Sequence, residues 1–345
     1  MPTATEDMVD TAVLFGGTGF IGSHLTRHLL DEKLAKRVVL VDLHGPVLPE
    51  LVGAPGVEYV EHDLRREIPA GLLPKNPGLI INLAAVHREP GHQPYEYFET
   101  NIKGAENVCK YAGDVDCKTL VFTSSISVYG PTEDEKTERS LTVPVTPYGG
   151  SKLVAERIHL GWLGADKSRR LIIVRPGVVF GPGEGGNVTR LVRAVTGHYF
   201  VYTGNHEVRK AGGYVKELCN TIGFMLQTTR QKQLSTITYN FTTDPVPSLQ
   251  EFAGTIAGVA GMRPPKISIP FLPILAVSHV AQAVSTVTRI KTPLHPQRMY
   301  KLVRSNYIQP AVLREQGYRP RYSLETALQD WKQMRPSDWR VRGAG

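Results

Sequence analysis

The first half of the chain alternates short apolar runs with longer stretches of helical periodicity. The apolar runs lie at residues 12–15, 38–41, 57–60, 79–83, 120–122 and 171–174. The helical stretches follow residue 20 and lie around residues 94–112 and 147–163. Continuous Val, Ile and Leu strands separated by helices are typical of a parallel sheet covered on both faces. The pattern therefore predicts an α/β fold with a doubly wound parallel sheet of the Rossmann type.

The chain of 345 residues is long enough for this sheet and an additional lobe that share a cleft. We assign residues 1–180 to the sheet domain and expect residues 211–242 to return to it. The remaining part of residues 181–345 is expected to form a smaller lobe that binds substrate.

One long uncharged stretch lies in the second half of the chain. Residues 267–288 contain no Asp, Glu, Lys or Arg, but they include two prolines and several Ser, Thr, His and Gln side chains. A membrane-spanning helix needs about 20 predominantly apolar residues. The stretch is too polar for that, and we expect a buried helix.

The net charge of +8 is confined to the C-terminal part of the chain. Residues 289–345 contain twelve Lys or Arg against four Asp or Glu, so the preceding residues are electrically balanced. A basic coat for nucleic acid would not be so localised. The distribution argues against a nucleic-acid partner and suits an anionic small molecule or an anionic membrane surface.

The number of cysteines and the N-terminal residues indicate the cellular compartment of the protein. The three cysteines are odd in number and form no Cys-x-x-Cys pair, so neither a disulfide framework nor a thiolate metal site is expected. The first ten residues are polar and acidic, unlike a signal peptide. We expect a cytoplasmic protein without a metal.

The first apolar run ends in a glycine-rich turn, Gly16-Gly17-Thr18-Gly19-Phe20-Ile21-Gly22. A strand, such a turn and a helix bring backbone N–H groups and a helix N-terminus to a pyrophosphate. Asp42 ends the second strand, 20 residues after Gly22, where a carboxylate can bind ribose hydroxyls. The same carboxylate repels a 2′-phosphate, so we expect NAD rather than NADP. Asp63, after the third run, is expected to face the adenine.

Candidate catalytic groups lie at Ser125, Tyr148 and Lys152. Tyr148 and Lys152 are four residues apart, so on a helix both side chains share one face. A free phenol has a pKa of about 10, and a nearby cation favours its ionised form. Ser125 follows the strand at residues 120–122 and supplies a hydroxyl for the reacting oxygen. The three groups together predict proton transfer beside a hydride acceptor.

These features occur in order along nearly the whole chain, together with further short motifs. They are Asp63-Leu64, Asn82-Leu83-Ala84-Ala85, Thr100-Asn101-Ile102-Lys103-Gly104, Thr123-Ser124-Ser125, Val128-Tyr129-Gly130, Arg175-Pro176, Gly181-Pro182-Gly183 and Gly317-Tyr318-Arg319-Pro320. The ordered set resembles the extended short-chain dehydrogenases/reductases of the NAD-dependent epimerase/dehydratase family.

The resemblance implies roles for further residues. Cofactor contacts are implied for Gly16, Gly19, Phe20, Ile21, Gly22, Asp42, Asp63, Leu64, Leu83, Ala84, Ala85, His87, Thr100, Tyr148, Lys152 and Pro176. Contacts with the sugar or its diphosphate are implied for Ser125, Asn187, Val188, Arg193, Lys210 and Arg298. His87 stands where galactose epimerases of the family have a lysine, so a proton carrier and a neutral cleft residue are both open for it.

Departures from the family pattern narrow the reaction. The 4,6-dehydratases have an Asp-Glu pair directly after the catalytic hydroxyl residue, where this chain has Ile126 and Ser127. The glutamate of decarboxylating relatives is missing from this stretch too. The resemblance therefore implies hydride transfer at a carbinol of a nucleotide-diphosphate sugar, by 4-epimerisation or 4-keto reduction.

Two other functions stay open at this point. One is oxidation or reduction of a lipid alcohol, as in hydroxysteroid dehydrogenases, which residues 267–288 beside a basic tail would suit. The other is a dinucleotide sensor without catalysis. By the resemblance, helices 94–112 and 147–163 pair in a homodimer. We expect no binding to membranes.

Overall fold

The computed structural model describes residues 8–45, 48–89, 91–288 and 303–340. Its strands are β1 Val9–Phe15, β2 Ala35–Asp42, β3 Val57–Glu61, β4 Leu79–Asn82, β5 Thr119–Thr123, β6 Thr132–Lys136, β7 Arg170–Pro176, β8 Val178–Phe180, β9 Tyr202–Thr203, β10 Gly212–Tyr214, β11 Thr236–Phe241, β12 Ser268–Ile269 and β13 Asn306–Ile308. Its helices are α1 Phe20–Asp31, α2 Pro94–Asp114, α3 Pro147–Gly164, α4 Asn187–Thr196, α5 Val215–Gln231, α6 Leu249–Ala260, α7 Phe271–Thr288, α8 Ala311–Glu315 and α9 Leu324–Met334.

Seven strands form one parallel sheet in the order β11-β7-β5-β4-β1-β2-β3. The strand order reverses between β1 and β4, because the chain first moves outward through β2 and β3 and then returns. In sheets of this kind, ligands bind outside the carboxyl ends of the strands at the reversal. The predicted doubly wound fold is confirmed.

Alternating side chains of each strand build the two layers of the core. Leu14 and Leu40 face α1 and α5, where they pack with residues such as Leu25. Phe15 and Phe122 face α2 and α3. Successive residues of a strand point to opposite faces, which is why an uninterrupted apolar run is needed wherever helices cover both faces.

Residues 212–241 join the sheet region after the chain has left it. Strand β10 pairs in parallel with β8, α5 packs beside α1, and β11 pairs with β7 along residues 236–241. A third cluster of buried residues lies around α4, α6 and α9 and includes Phe180, Phe252 and Trp331.

The expectation of a buried helix at residues 267–288 is wrong for residues 267–277. Helix α7 forms there, but Leu272 is 75% exposed and Val277 is 55% exposed. The absence of charge indicated burial, yet whether other segments cover a helix depends on the arrangement of the whole chain. Within the described ranges, no helix is both long and apolar enough to cross a membrane.

Candidate active site

The glycine-rich turn lies at the carboxyl end of β1 and leads into α1. Gly16 has φ of +72°, and a Cβ atom there would lie 2.6 Å from the backbone nitrogen of Ala84. A Cβ atom on Gly22 would lie 2.5 Å from the carbonyl oxygen of Gly17. Both positions therefore need glycine: one lets the loop after β4 approach the turn, and the other lets α1 pack on it. The turn fits a bound dinucleotide.

Asp42 lies beside this turn with its carboxylate held in place. Its Oδ2 accepts a hydrogen bond from Thr18 Oγ1 at 2.7 Å, and its Oδ1 accepts one from the backbone nitrogen of Leu43 at 2.8 Å. A carboxylate can accept more than two hydrogen bonds, so these contacts orient it and leave capacity for ribose hydroxyls.

Asp63 and Leu64 follow β3, farther from the turn. A bidentate hydrogen bond from Arg65 holds the carboxylate of Asp63, and this bond keeps its pKa below the usual value. The side chain of Leu64 is buried in the core. The predicted adenine contact of Asp63 thus has a competing partner within the chain.

The loop after β4 carries Leu83, Ala84 and Ala85, which are half-buried, and His87, which is exposed. Asn101 on α2 holds this loop: its Oδ1 accepts from the backbone nitrogen of Val86 at 2.8 Å. Its Nδ2 donates to the Val86 carbonyl at 3.2 Å and to Ser151 Oγ of α3 at 2.8 Å. Asn101 therefore joins the loop to the helix of the catalytic groups, a role that the sequence did not reveal.

The sequence-predicted catalytic groups meet at the carboxyl end of β5. Tyr148, in the first turn of α3, lies near the hydroxyl of Ser125. Burial raises the pKa of Tyr148 to about 12, whereas the Ser125 hydroxyl acts to lower it. Ser125 Oγ donates to Ser127 Oγ at 3.1 Å and accepts from the Ser127 backbone nitrogen at 3.1 Å. Burial therefore favours the neutral form of the phenol.

Lys152 follows one turn later and is buried, with 2% exposure. Its Nζ lies 4.3 Å from the centre of the Phe122 ring, close enough for a cation–π interaction. Burial lowers its pKa from 10.5 to about 7, although the charge of Glu156 acts in the opposite direction. The ammonium group is therefore poised to lose or gain a proton near neutral pH.

Glu156, one further turn along α3, forms a buried ion pair that was not predicted. Arg175 at the end of β7 donates from Nε and Nη2 to its two carboxylate oxygens, at 2.8 and 2.7 Å. Ser124 Oγ donates to the same carboxylate at 2.5 Å. Arg175 Nη1 also donates to the hydroxyl of Tyr129 at 2.8 Å. The spacing of Glu156 from Lys152 was visible in the sequence, but its partner was not.

His159, two turns after Lys152, also positions α3. Its ring stacks on Phe122 with 4.1 Å between ring centres. Burial lowers its pKa to about 3, so it is neutral. Nδ1 donates to the Ala155 carbonyl at 2.7 Å, and Nε2 accepts from Asn82 Nδ2 at 3.3 Å. These bonds tie α3 to the end of β4.

The remaining predicted residues are distributed over several elements. Thr100 is half-buried on α2, and Pro176 is buried at the end of β7. Asn187 and Val188 begin α4, and only Val188 is buried.

Two of the three predicted basic side chains, Arg193 and Lys210, donate to backbone carbonyls. Arg193 Nε donates to the carbonyl of Asp338 at 3.1 Å, and Lys210 Nζ donates to the carbonyl of Arg304 at 2.8 Å. Burial lowers the pKa of Lys210 to about 8. Arg298 lies outside the described residues.

A model of the NAD-dependent epimerase/dehydratase family matches residues 12–240, more than half of the chain. The chain belongs to this family. Membership confirms an NAD-dependent enzyme and with it the expected cofactor. It disfavours the alternative of a sensor without catalysis.

Two named proteins are similar in sequence to this chain. An Escherichia coli O157:H7 protein named N-acetyl-alpha-D-glucosaminyl-diphospho-ditrans,octacis-undecaprenol 4-epimerase is 24% identical over 93% of this chain and 94% of its own length. A UDP-glucose 4-epimerase of Vibrio cholerae is 29% identical over 57% of this chain and 60% of its own length. Both are named as sugar 4-epimerases, in agreement with the expected chemistry.

Solved structures show the same fold. The UDP-glucuronic acid 4-epimerase of Bacillus cereus in complex with NAD has a TM-score of 0.74 at 18% identity, over 96% of this chain and 100% of that one. The UDP-glucose-4-epimerase of Stenotrophomonas maltophila, with bound NAD and formylated UDP-arabinopyranose, has a TM-score of 0.73 at 21% identity, over 95% and 98%.

The position of Asp42 predicts its effect on cofactor choice. Asp42→Ala should weaken NAD binding about 10- to 100-fold, because a charged hydrogen bond is worth roughly 1.5–3 kcal/mol. The variant should also show a smaller preference for NAD over NADP. Fluorescence titration with both dinucleotides measures the two affinities. Asp114→Ala, on the exposed surface of α2, is the matched control. Wild-type enzyme that binds NADP as tightly as NAD would contradict the assignment.

The burial of Lys152 predicts a pH-dependent cost to stability. The pKa of Lys152 is about 7 in the folded protein and 10.5 for a free lysine. Between these pH values the unfolded chain binds more protons than the folded one, so the free energy of unfolding of the wild type should rise with pH across this window. Lys152→Met should raise the free energy of unfolding at pH 7 by on the order of 3 kcal/mol and remove turnover.

Urea unfolding of the protein without added cofactor at pH 7 and pH 9.5 checks this. The gain of the variant over wild type should shrink at the higher pH, while Lys167→Met, at an exposed position, should give no gain at either pH. An equal effect of Lys152→Met at both pH values would show that burial does not depress the pKa.

Proposed function

We propose that the chain catalyses NAD-dependent 4-epimerisation of a nucleotide-diphosphate sugar. The observation that carries this proposal is the proximity of Tyr148 to the Ser125 hydroxyl, one helical turn from the buried Lys152. A phenol and a hydroxyl that lie close together can both reach one carbinol oxygen. Ile126 and Ser127 stand where an acid pair would be needed for elimination of water.

The steps assigned to the chain's own groups are proton transfer and orientation. When bound, NAD supplies the hydride acceptor and donor, and its oxidised form adds positive charge that favours ionisation of the phenol. Tyr148 takes the proton from the C4 hydroxyl, while Ser125 hydrogen-bonds the same oxygen. Lys152 stabilises the ionised phenol. Epimerisation would require the hydride to return to the opposite face of C4 while Tyr148 gives the proton back to the C4 oxygen. C4 would then be inverted with no net oxidation, so no second substrate would be consumed.

Cofactor contacts are assigned as the resemblance implies. The glycine turn and Asp42 would hold the pyrophosphate and the adenosine ribose, and Pro176, Thr100 and the loop after β4 would line the nicotinamide end. Support comes from the close approach of Gly16 to Ala84, which only a glycine permits. His87 is exposed in that loop, so we assign it to the cleft wall.

Substrate contacts are assigned to the second lobe. Asn187 and Val188 at the start of α4, with Arg193, Lys210 and Arg298, would receive the nucleotide diphosphate. The excess of basic residues after position 288 supports an anionic substrate. Ketoreduction of a 4-keto sugar uses the same groups, but it would consume reduced cofactor. We further propose that the enzyme acts in the cytoplasm and takes part in polysaccharide biosynthesis.

A dimer through α2 and α3 is also proposed. The two helices pack against each other, and outward they expose Phe98 at 39% and Val154 at 41%. A second copy of the same surface would cover these side chains in an isologous contact. Phe98→Asp combined with Val154→Asp should give a monomer in sedimentation velocity, and Val52→Asp, at a 70% exposed site elsewhere, should not. A monomeric wild type at micromolar concentration would refute the dimer.

The proton relay gives the test of the function. Tyr148→Phe should reduce turnover by about 10²- to 10⁴-fold, because only the proton transfer is lost. Affinity for NAD should stay within a few-fold. Incubation with UDP- and GDP-sugars, followed by separation of the epimers, measures turnover without added reductant. A Phe variant with wild-type turnover would exclude Tyr148 as the base, and product that forms only with added NADH would indicate a reductase.

A further inference from the structure

The apolar helix surface is an exposed face formed by residues 267–277. Its large side chains are Ile267, Leu272 and Val277, which are 65%, 75% and 55% exposed. Pro270, Pro273 and Ala276 are exposed beside them. Single exposed apolar side chains are ordinary, but a contiguous patch of them marks an interaction site.

The surface is attached firmly to the second lobe. Strand β12 pairs in parallel with β9, and the backbone nitrogen atoms of Tyr202 and Gly204 donate to the carbonyls of Ile267 and Ile269 at 2.9 and 3.0 Å. A Cβ atom on Gly204 would lie 3.3 Å from Cβ of Phe271, so the first residue of α7 packs directly on this segment. The exposed face therefore belongs to the folded lobe and has a defined orientation.

The sequence on either side of the surface carries charge of one sign. No Asp or Glu lies between Glu251 and Glu315, whereas eight Lys or Arg do. Two of these, Arg263 and Lys266, lie within four residues before Ile267 and are exposed. A second copy of this chain would bring the same positive charge against itself, which disfavours self-association through this face. Exposed apolar side chains bordered by basic ones suit anionic lipid headgroups over an apolar interior.

We propose that the apolar helix surface docks on an anionic lipid bilayer. Residues 271–277 of α7 lie on the bilayer, with Leu272 and Val277 inserted among the headgroups and Arg263 and Lys266 against lipid phosphates. This docking goes beyond the proposed function and leaves its catalytic groups and its soluble substrate unchanged. Docking is peripheral and replaces the expectation of no membrane binding.

Co-sedimentation of the full chain with vesicles tests the proposal. Wild type should bind vesicles of equal parts phosphatidylglycerol and phosphatidylcholine, and bind pure phosphatidylcholine much more weakly. Leu272→Ser with Val277→Ser should reduce partitioning by about tenfold or more, through lost apolar burial. Arg263→Glu with Lys266→Glu should reduce it at least about 10-fold, and raised salt should weaken wild-type binding.

Val52→Ser is the matched control, since it removes an equally exposed apolar side chain far along the chain from this surface. It should bind vesicles as the wild type does. Absence of wild-type binding to anionic vesicles would overturn the proposal, and so would unchanged binding of both double variants. Oligomers that dissociate in the Leu272→Ser, Val277→Ser variant without lipid would assign the surface to contacts between copies instead.

Turnover of a water-soluble UDP-sugar separates this proposal from the proposed function. The Leu272→Ser, Val277→Ser variant should lose vesicle binding and keep wild-type turnover of that substrate. Wild type that epimerises the soluble substrate but ignores vesicles would overturn docking alone. Vesicle binding without epimerisation of any sugar diphosphate would overturn the function and leave docking intact.

Discussion

The buried ion pair between Glu156 and Arg175 is the contact on which the candidate site depends. It joins the middle of α3 to the end of β7 by two hydrogen bonds, and Ser124 at the end of β5 adds a third. Loss of one member of such a pair typically costs about 3–5 kcal/mol, because the other charge is left uncompensated. Tyr148 and Lys152 lie on the same helix, so this contact sets their distance from Ser125.

Two neutral contacts reinforce that position from other strands. Stacking of His159 on Phe122 and its bond with Asn82 tie α3 to β4 and β5. Asn101 ties α3 to the loop that approaches the glycine turn. Proton-transfer groups and the cofactor turn are thus connected through buried polar bonds, which tolerate little displacement. This rigidity makes the burial of Lys152 possible, since the ammonium group cannot turn outward to water.

The C-terminal part of the chain has a different electrostatic character. Residues 1–288 contain equal numbers of acidic and basic side chains, whereas the segment between Glu251 and Glu315 carries positive charge only. The same segment contains the apolar helix surface, so one part of the chain offers both attraction for phosphate and apolar area for a lipid interior. A diphosphate-linked sugar and an anionic bilayer both present phosphate groups, and we propose that this part of the chain binds both.

The sequence by itself determined the strands and helices of the first half and the glycine turn, because each depends on neighbours within a few residues. It also placed Tyr148 and Lys152 on one helical face. Only the tertiary structure decided that Glu156 meets Arg175, that Asn101 holds the loop after β4, and that Leu272 and Val277 of α7 are exposed. Those outcomes depend on which segments become neighbours in space, and residue periodicity carries no information about contacts between distant parts of the chain. An uncharged helix has the same pattern whether another segment of the chain covers it or leaves it open.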